Sequence, residues 1–126
     1  MTNITNLLGK AKYTKLVSLL FNARTNAHIA HLQTKSYAAH NALYDLYSGI
    51  LDIADKIAES AQGTQGILNG YTLGTLWSGD VISNVESLHN EITNMKKEFT
   101  EGHLLQLIDD ATELTATVLY KLKNLR

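Results

Sequence analysis

Five histidines, His28, His31, His40, His89 and His103, are the side chains here with the widest chemical reach. Imidazole exchanges protons near neutrality and is a common metal ligand. Three of the five fall in the short stretch from His28 to His40. On a helical wheel, His31 continues an apolar stripe through Leu16, Leu20, Ala23 and Ala27, and His28 sits ~60° to one side. His40 falls on a stripe with Tyr47, Leu51, Ala54 and Ala58. A histidine on a buried stripe loses hydration unless its ring nitrogens find partners. Asp55 and Glu59, four residues apart, share a face on the flank of that second stripe and could share a cation. Imidazole mixed with carboxylate favours iron, manganese or zinc over calcium or magnesium.

One chain cannot close such a site along a single helix, because His40 and Asp55 stand ~22 Å apart along the axis. Two copies of the second helix, antiparallel about a two-fold axis near Tyr47 and Ser48, bring His40 of one chain to Asp55 and Glu59 of the other. Two sites then form by symmetry. Ser48 and Gly49 are small and predict close approach at the axis. A structural alternative uses the same residues. His31 and His40 hydrogen-bond across a hairpin turn and cap helix ends, while Asp55 and Glu59 form a solvated flank beside Lys56.

The elements that must position these groups are helices. The chain has 126 residues, no cysteine, no proline and a net charge of −1, with 44% apolar residues. That is enough apolar content for one folded domain, 1–126, and too little chain for two. Without cysteine there are no disulfides, thiolate nucleophiles, zinc ribbons or iron–sulfur clusters. A balanced charge gives no field for nucleic acid or anionic lipid. The apolar spacing predicts helices over about 5–33, 37–61, 80–99 and 103–125, with Thr5 and Ser36 as N-caps and Gln62-Gly63 as a stop. The first stripe includes Leu8. Residues 64–79 hold four of the eight glycines and read as a connection. Such a segment is long enough to carry the chain the length of a bundle, which would make helices two and three parallel. The predicted fold is all-α, a four-helix bundle with a long crossover between helices 2 and 3.

The stretch His31-Leu-Gln-Thr-Lys-Ser-Tyr-Ala-Ala-His40, followed by Asp55-x-x-x-Glu59 and Gln62-Gly63, resembles a ferritin-like family of tailed bacteriophages. More distantly it resembles the Dps-type miniferritins. The resemblance covers about residues 20 to 63. It implies a ferritin-like bundle, with His31 and His40 as metal ligands from one chain and Asp55 and Glu59 from its two-fold mate. His28 is the second choice for His31, and Asp52, on the same flank as Asp55 and Glu59, is a second-choice ligand that could compensate for the aspartate missing at Tyr44. It further implies iron as cofactor, and a ferroxidase of miniferritin type as the enzyme. Leu32 stands where the family has tryptophan. Tyr44 stands where miniferritins often have aspartate, with Asp45 beside it.

Other signals are weaker. Glu86-x-x-His89 fits half of an intrachain di-iron motif, but the first helix has no glutamate to complete it. Lys10, Lys12 and Lys15 read as a solvated face. Tyr13, Tyr44 and Tyr47 read as interface residues with wet hydroxyls, and Trp77 as an anchor for the connection. The expected protein is a homo-oligomer, at least a two-fold dimer, that binds iron and stays in the cytoplasm (the host's, if phage-encoded). It is expected to have no membrane or nucleic-acid partner and no signal peptide. Two alternatives accompany this: a non-catalytic phage structural or interaction protein built on the bundle, and a small-molecule sponge.

Overall fold

Long runs without proline, apolar at the helical period and punctuated by capping residues, set the four helices. They are α1 (Ile4–Gln33), α2 (Tyr37–Gln65), α3 (Val81–Met95) and α4 (Gly102–Asn124) of a computed structural model that describes residues 4–126, with side chains from residue 9 onward. Among the described residues there is no strand. Thr5 lies inside α1 rather than ahead of it, and Leu8 falls outside the described side chains. Ser36 caps α2, its hydroxyl accepting from the Ala39 amide at 3.1 Å. Asp80 does the same for α3 through Ser83, also at 3.1 Å.

Two helix ends differ from the sequence expectation. α2 runs through Gly63 and stops only at Gly66, whose φ of 81° lies in the left-handed region that favours glycine. α3 ends at Met95 and tightens into a 3₁₀ turn over Lys96–Glu98, so Phe99 is extended rather than helical.

The helices pack as a bundle in which α1 lies against α2, α2 against α4 and α4 against α3, with a thin α1–α3 contact closing the ring. Leu16, Leu20, Leu43, Ile50, Ile92 and Ile108 are fully buried at its centre. The α2 stripe is turned from the predicted one. Leu43, Leu46, Ile50, Ala54 and Ile57 face the core, whereas Leu51 is exposed and Tyr47, Ala58 and His40 sit at the boundary. The rotation is roughly 60°. Gly49 is also spoken for: a Cβ there would meet Leu114 of α4 at 2.7 Å, so it serves packing inside the chain rather than close approach of a second copy.

Residues 66–80 form a strap against α1. Leu68 is buried, the Thr72 amide donates to Ser18 Oγ at 3.0 Å, and Gly74 sits so close to Asn22 that a Cβ would come within 2.3 Å. Asn26, 4% exposed, clamps the strap from both sides of its amide. Its Nδ2 donates to the Thr75 carbonyl at 3.0 Å, and its Oδ1 accepts from the Trp77 amide at 2.7 Å.

Nearer the start of α1, Tyr13 is buried with its hydroxyl bonded to Glu101 Oε2 at 2.5 Å, not wet as its sequence position suggested. Its ring meets Phe99 edge-on, and Lys12 covers both rings while donating to the Glu98 carbonyl. Burial, then the Glu101 contact, pushes the Tyr13 phenol up to about 12. The same hydrogen bond holds the Glu101 carboxyl below its ordinary value. No helix among the described residues is long and apolar enough to cross a membrane.

Candidate functional site: an imidazole and phenol cluster at the first hairpin

The short turn Thr34-Lys35-Ser36 folds α1 back on α2 and so brings His31, on the last turn of one, to His40, on the first turn of the other. Their rings stack with centroids 3.6 Å apart and planes 22° from parallel. His31 Nδ1 donates to the His40 carbonyl at 2.6 Å, and His40 Nδ1 donates to the His31 carbonyl at 2.9 Å. A carbonyl oxygen only accepts, so both Nδ1 atoms carry hydrogen. The pair is a reciprocal clamp across the turn, the structural alternative considered above: the His40 ring satisfies a carbonyl of the last turn of α1, and the His31 ring adds a second donor to a carbonyl of the first turn of α2.

The cluster extends down the hairpin. His28 stacks on Tyr47 at 4.1 Å, with planes 12° from parallel. His31 meets the edge of Tyr47 at 5.3 Å, and Tyr44 meets Tyr47 edge-on at the same separation. His31 is 8% exposed; His28, His40 and Tyr47 are half-buried, and Tyr44 is exposed. Arg24, one turn before His28 on α1, has its Nε buried with no hydrogen-bond partner.

The carboxylates do not join this cluster within the chain. Asp55 and Glu59 are exposed on α2, and Asp52 pairs with Lys56 at 3.2 Å. Among the described residues no group of three or more histidine, cysteine, aspartate or glutamate side chains could hold a metal. The stacked pair does not fit a shared ion either. A metal lies close to the plane of each imidazole that binds it. With centroids 3.6 Å apart and planes 22° from parallel, the two rings lie face to face, and their planes do not meet within a ~2.1 Å metal–nitrogen bond of both. His31 and His40 as they stand are therefore not two ligands of one ion.

The Glu86–His89 pair is also divided. His89 Nδ1 bonds Thr115 Oγ1 at 2.8 Å, and Glu86 accepts from Lys123 at 3.1 Å. Asn26 and the Tyr13–Glu101 bond went unread in the sequence. Each joins residues far apart in the chain, and no local pattern marks such a partner.

Exposed apolar side chains mark the outer side of the same hairpin. Leu32, Tyr37, Tyr44 and Leu51 are 71%, 79%, 52% and 38% exposed. The last three recur every seven residues along α2, a spacing that keeps them on one side of the helix.

Comparison with known proteins adds three findings. The family of unknown function DUF5856 matches residues 31–122. An uncharacterised 14.6 kDa protein of the mobD-ri intergenic region of Enterobacteria phage T4 is 30% identical over 108 residues, covering 81% of this chain and 80% of the relative. No solved structure matches. These findings overturn the resemblance to the ferritin-like phage family and the miniferritins: the matches are to a family of unknown function and an uncharacterised phage protein, and neither points to a ferritin-like family. The quoted segment is short, and its two histidines serve a hairpin clamp that needs the same spacing across the same turn. With most of its length matched, the chain belongs to the family of unknown function DUF5856.

Proposed function

We propose that this protein is a non-catalytic helical interaction module, with the outer side of the α1–α2 hairpin as its docking face. The observation that carries the reading is the exposed series Tyr37, Tyr44 and Leu51 on one side of α2. Large apolar groups held in water by a well-packed helix lose hydration favourably against a partner. The clamp supports the same reading, because a hairpin pinned at its turn presents that face with little freedom left to lose on binding. In this account the 66–80 strap is a crossover that returns the chain along α1, leaving α2 and α3 parallel and the α2 face clear. A similar chain in phage T4 is consistent with a phage interaction protein.

The test is site-specific photo-crosslinking in cells that produce the chain, with the crosslinker at Tyr44 and, as control, at Glu113 on α4. The reading expects discrete adducts from position 44, to this chain or to another protein. Equal labelling from both positions would overturn it.

A second reading holds a metal ion (iron, manganese or zinc) between two copies. One observation favours it. With both Nδ1 atoms donating to carbonyls, each Nε2 keeps its lone pair, the tautomer that second-shell carbonyls impose on metal-binding histidines. One imidazole per chain would serve, with Asp55 and Glu59 supplied by the second copy. Elemental analysis of untagged protein, and of the His40→Ala and Asp55→Ala variants, tests this. Unchanged iron uptake in both variants would remove the metal.

A further inference from the structure

We propose that the occupant of the α2 outer face is a second copy of this chain, lying antiparallel across a two-fold axis beside Tyr47 and Ser48. The proposal rests on the interaction reading above and supplies its partner.

The seven-residue recurrence of Tyr37, Tyr44 and Leu51 continues to half-buried Ala58, giving four apolar positions on one side of α2. An antiparallel mate can match apolar to apolar in a few registers, each one heptad from the next. With Tyr44 on the partner's Leu51 and Tyr37 on the partner's Ala58, all four positions of both helices are used. Sliding one heptad either way leaves a terminal position of each helix without an apolar mate. The most apolar contact therefore comes with the axis at Tyr47 and Ser48. Ser48 is small and exposed there.

Charge selects the same arrangement. The hairpin end of the face is basic or neutral: Lys35 is exposed and His40 half-buried. The far end is acidic, with Asp55 and Glu59 exposed and without ion-pair partners among the described residues, while Lys56 is already paired with Asp52. A parallel mate would place acid on acid. The antiparallel mate places Asp55 beside the partner's His40 and Glu59 beside the partner's Lys35, and does so twice by symmetry. Like charges across the wrong arrangement count against it.

The measurement is sedimentation velocity of the purified wild-type chain at up to about 100 µM, a range that detects micromolar association. The expected result is a species of two chains. Tyr44→Glu returns it to one chain, and Asp55→Lys with Glu59→Lys weakens association by roughly tenfold or more. These positions are exposed, so helicity and melting of the monomer should be preserved, and circular dichroism checks that directly. Register is read separately by disulfide formation, since the chain has no cysteine. Ser48→Cys should oxidise to a covalent dimer much faster than Ala116→Cys on α4. A wild-type chain that stays single, or equal oxidation at the two positions, overturns the proposal. A single chain that still crosslinks from Tyr44 to a different protein removes the second copy and leaves the interaction reading intact.

Discussion

Replacing Asn26 with alanine tests how the strap is held. Asn26 is buried and spends both ends of its amide on the strap, donating to the Thr75 carbonyl and accepting from the Trp77 amide at 2.7 Å. Alanine removes the two hydrogen bonds to the strap, each worth ~1 kcal/mol net, and strands the two strap backbone groups; the Nδ2 contacts to the Asn22 carbonyl and Oδ1 within α1 go with them. Thr75 is exposed and recovers water, whereas Trp77 is half-buried and does so only in part. The expected loss is ~2–3 kcal/mol, or about 10 °C in melting temperature for a chain of this size. Urea titration measures the loss. Trp77 is the only tryptophan, so its emission should shift red as the strap lifts while the far-ultraviolet helical signal holds. A cost under ~0.5 kcal/mol with unchanged emission would refute the clamp, since even one neutral hydrogen bond is worth more than that.

The remaining predictions concern the two ends of the bundle and the end of α2. Tyr13→Phe should cost ~2 kcal/mol near neutral pH, because it removes a hydrogen bond to a charged carboxylate. Glu101 is held below its ordinary value of 4.5, so its contribution is present above that value and lost as pH falls through the folded one. Tyr13, raised from 10.0 to about 12, contributes below 10.0 and loses that contribution as pH rises towards 12. Urea midpoints against pH should therefore fall at both extremes in wild type and less steeply in Tyr13→Phe. His31→Ala and His40→Ala should each cost ~1–2 kcal/mol by denaturant titration, and the double variant should cost less than their sum, because the two rings share one clamp. Gly66→Ala, at φ 81°, should destabilise by ~1 kcal/mol. Gly63→Ala, inside α2 with open space around it, should stabilise by ~0.5–1 kcal/mol, and thermal melts should separate the two signs.

The helices were legible because proline is absent and the apolar period is long. Ser36 showed as a cap because a cap is a local pattern with a local partner. The facing of α2 was not legible. Both its sides carry apolar groups, so a stripe through Tyr47 and Leu51 looked as good as the true one through Leu43, Leu46, Ile50 and Ile57. The end of α2 was misplaced because glycine alone does not stop a helix: Gly63 is accommodated, and the left-handed turn comes at Gly66. The histidine spacing was read correctly as bringing His31 and His40 together, yet spacing does not say what the rings do once they meet. The Asn26 clamp and the Tyr13–Glu101 bond join residues 49, 51 and 88 positions apart. Such pairings depend on the packed bundle, and no window of sequence contains them.

The most direct measurement is the mass of the wild-type chain in solution beside that of Tyr44→Glu, with helicity recorded for both. The account predicts two chains for the wild type, one for the variant, and equal helicity. A wild type that remains one chain across the whole concentration range, with position 44 crosslinking to nothing beyond its control, would contradict both the second copy and the docking face.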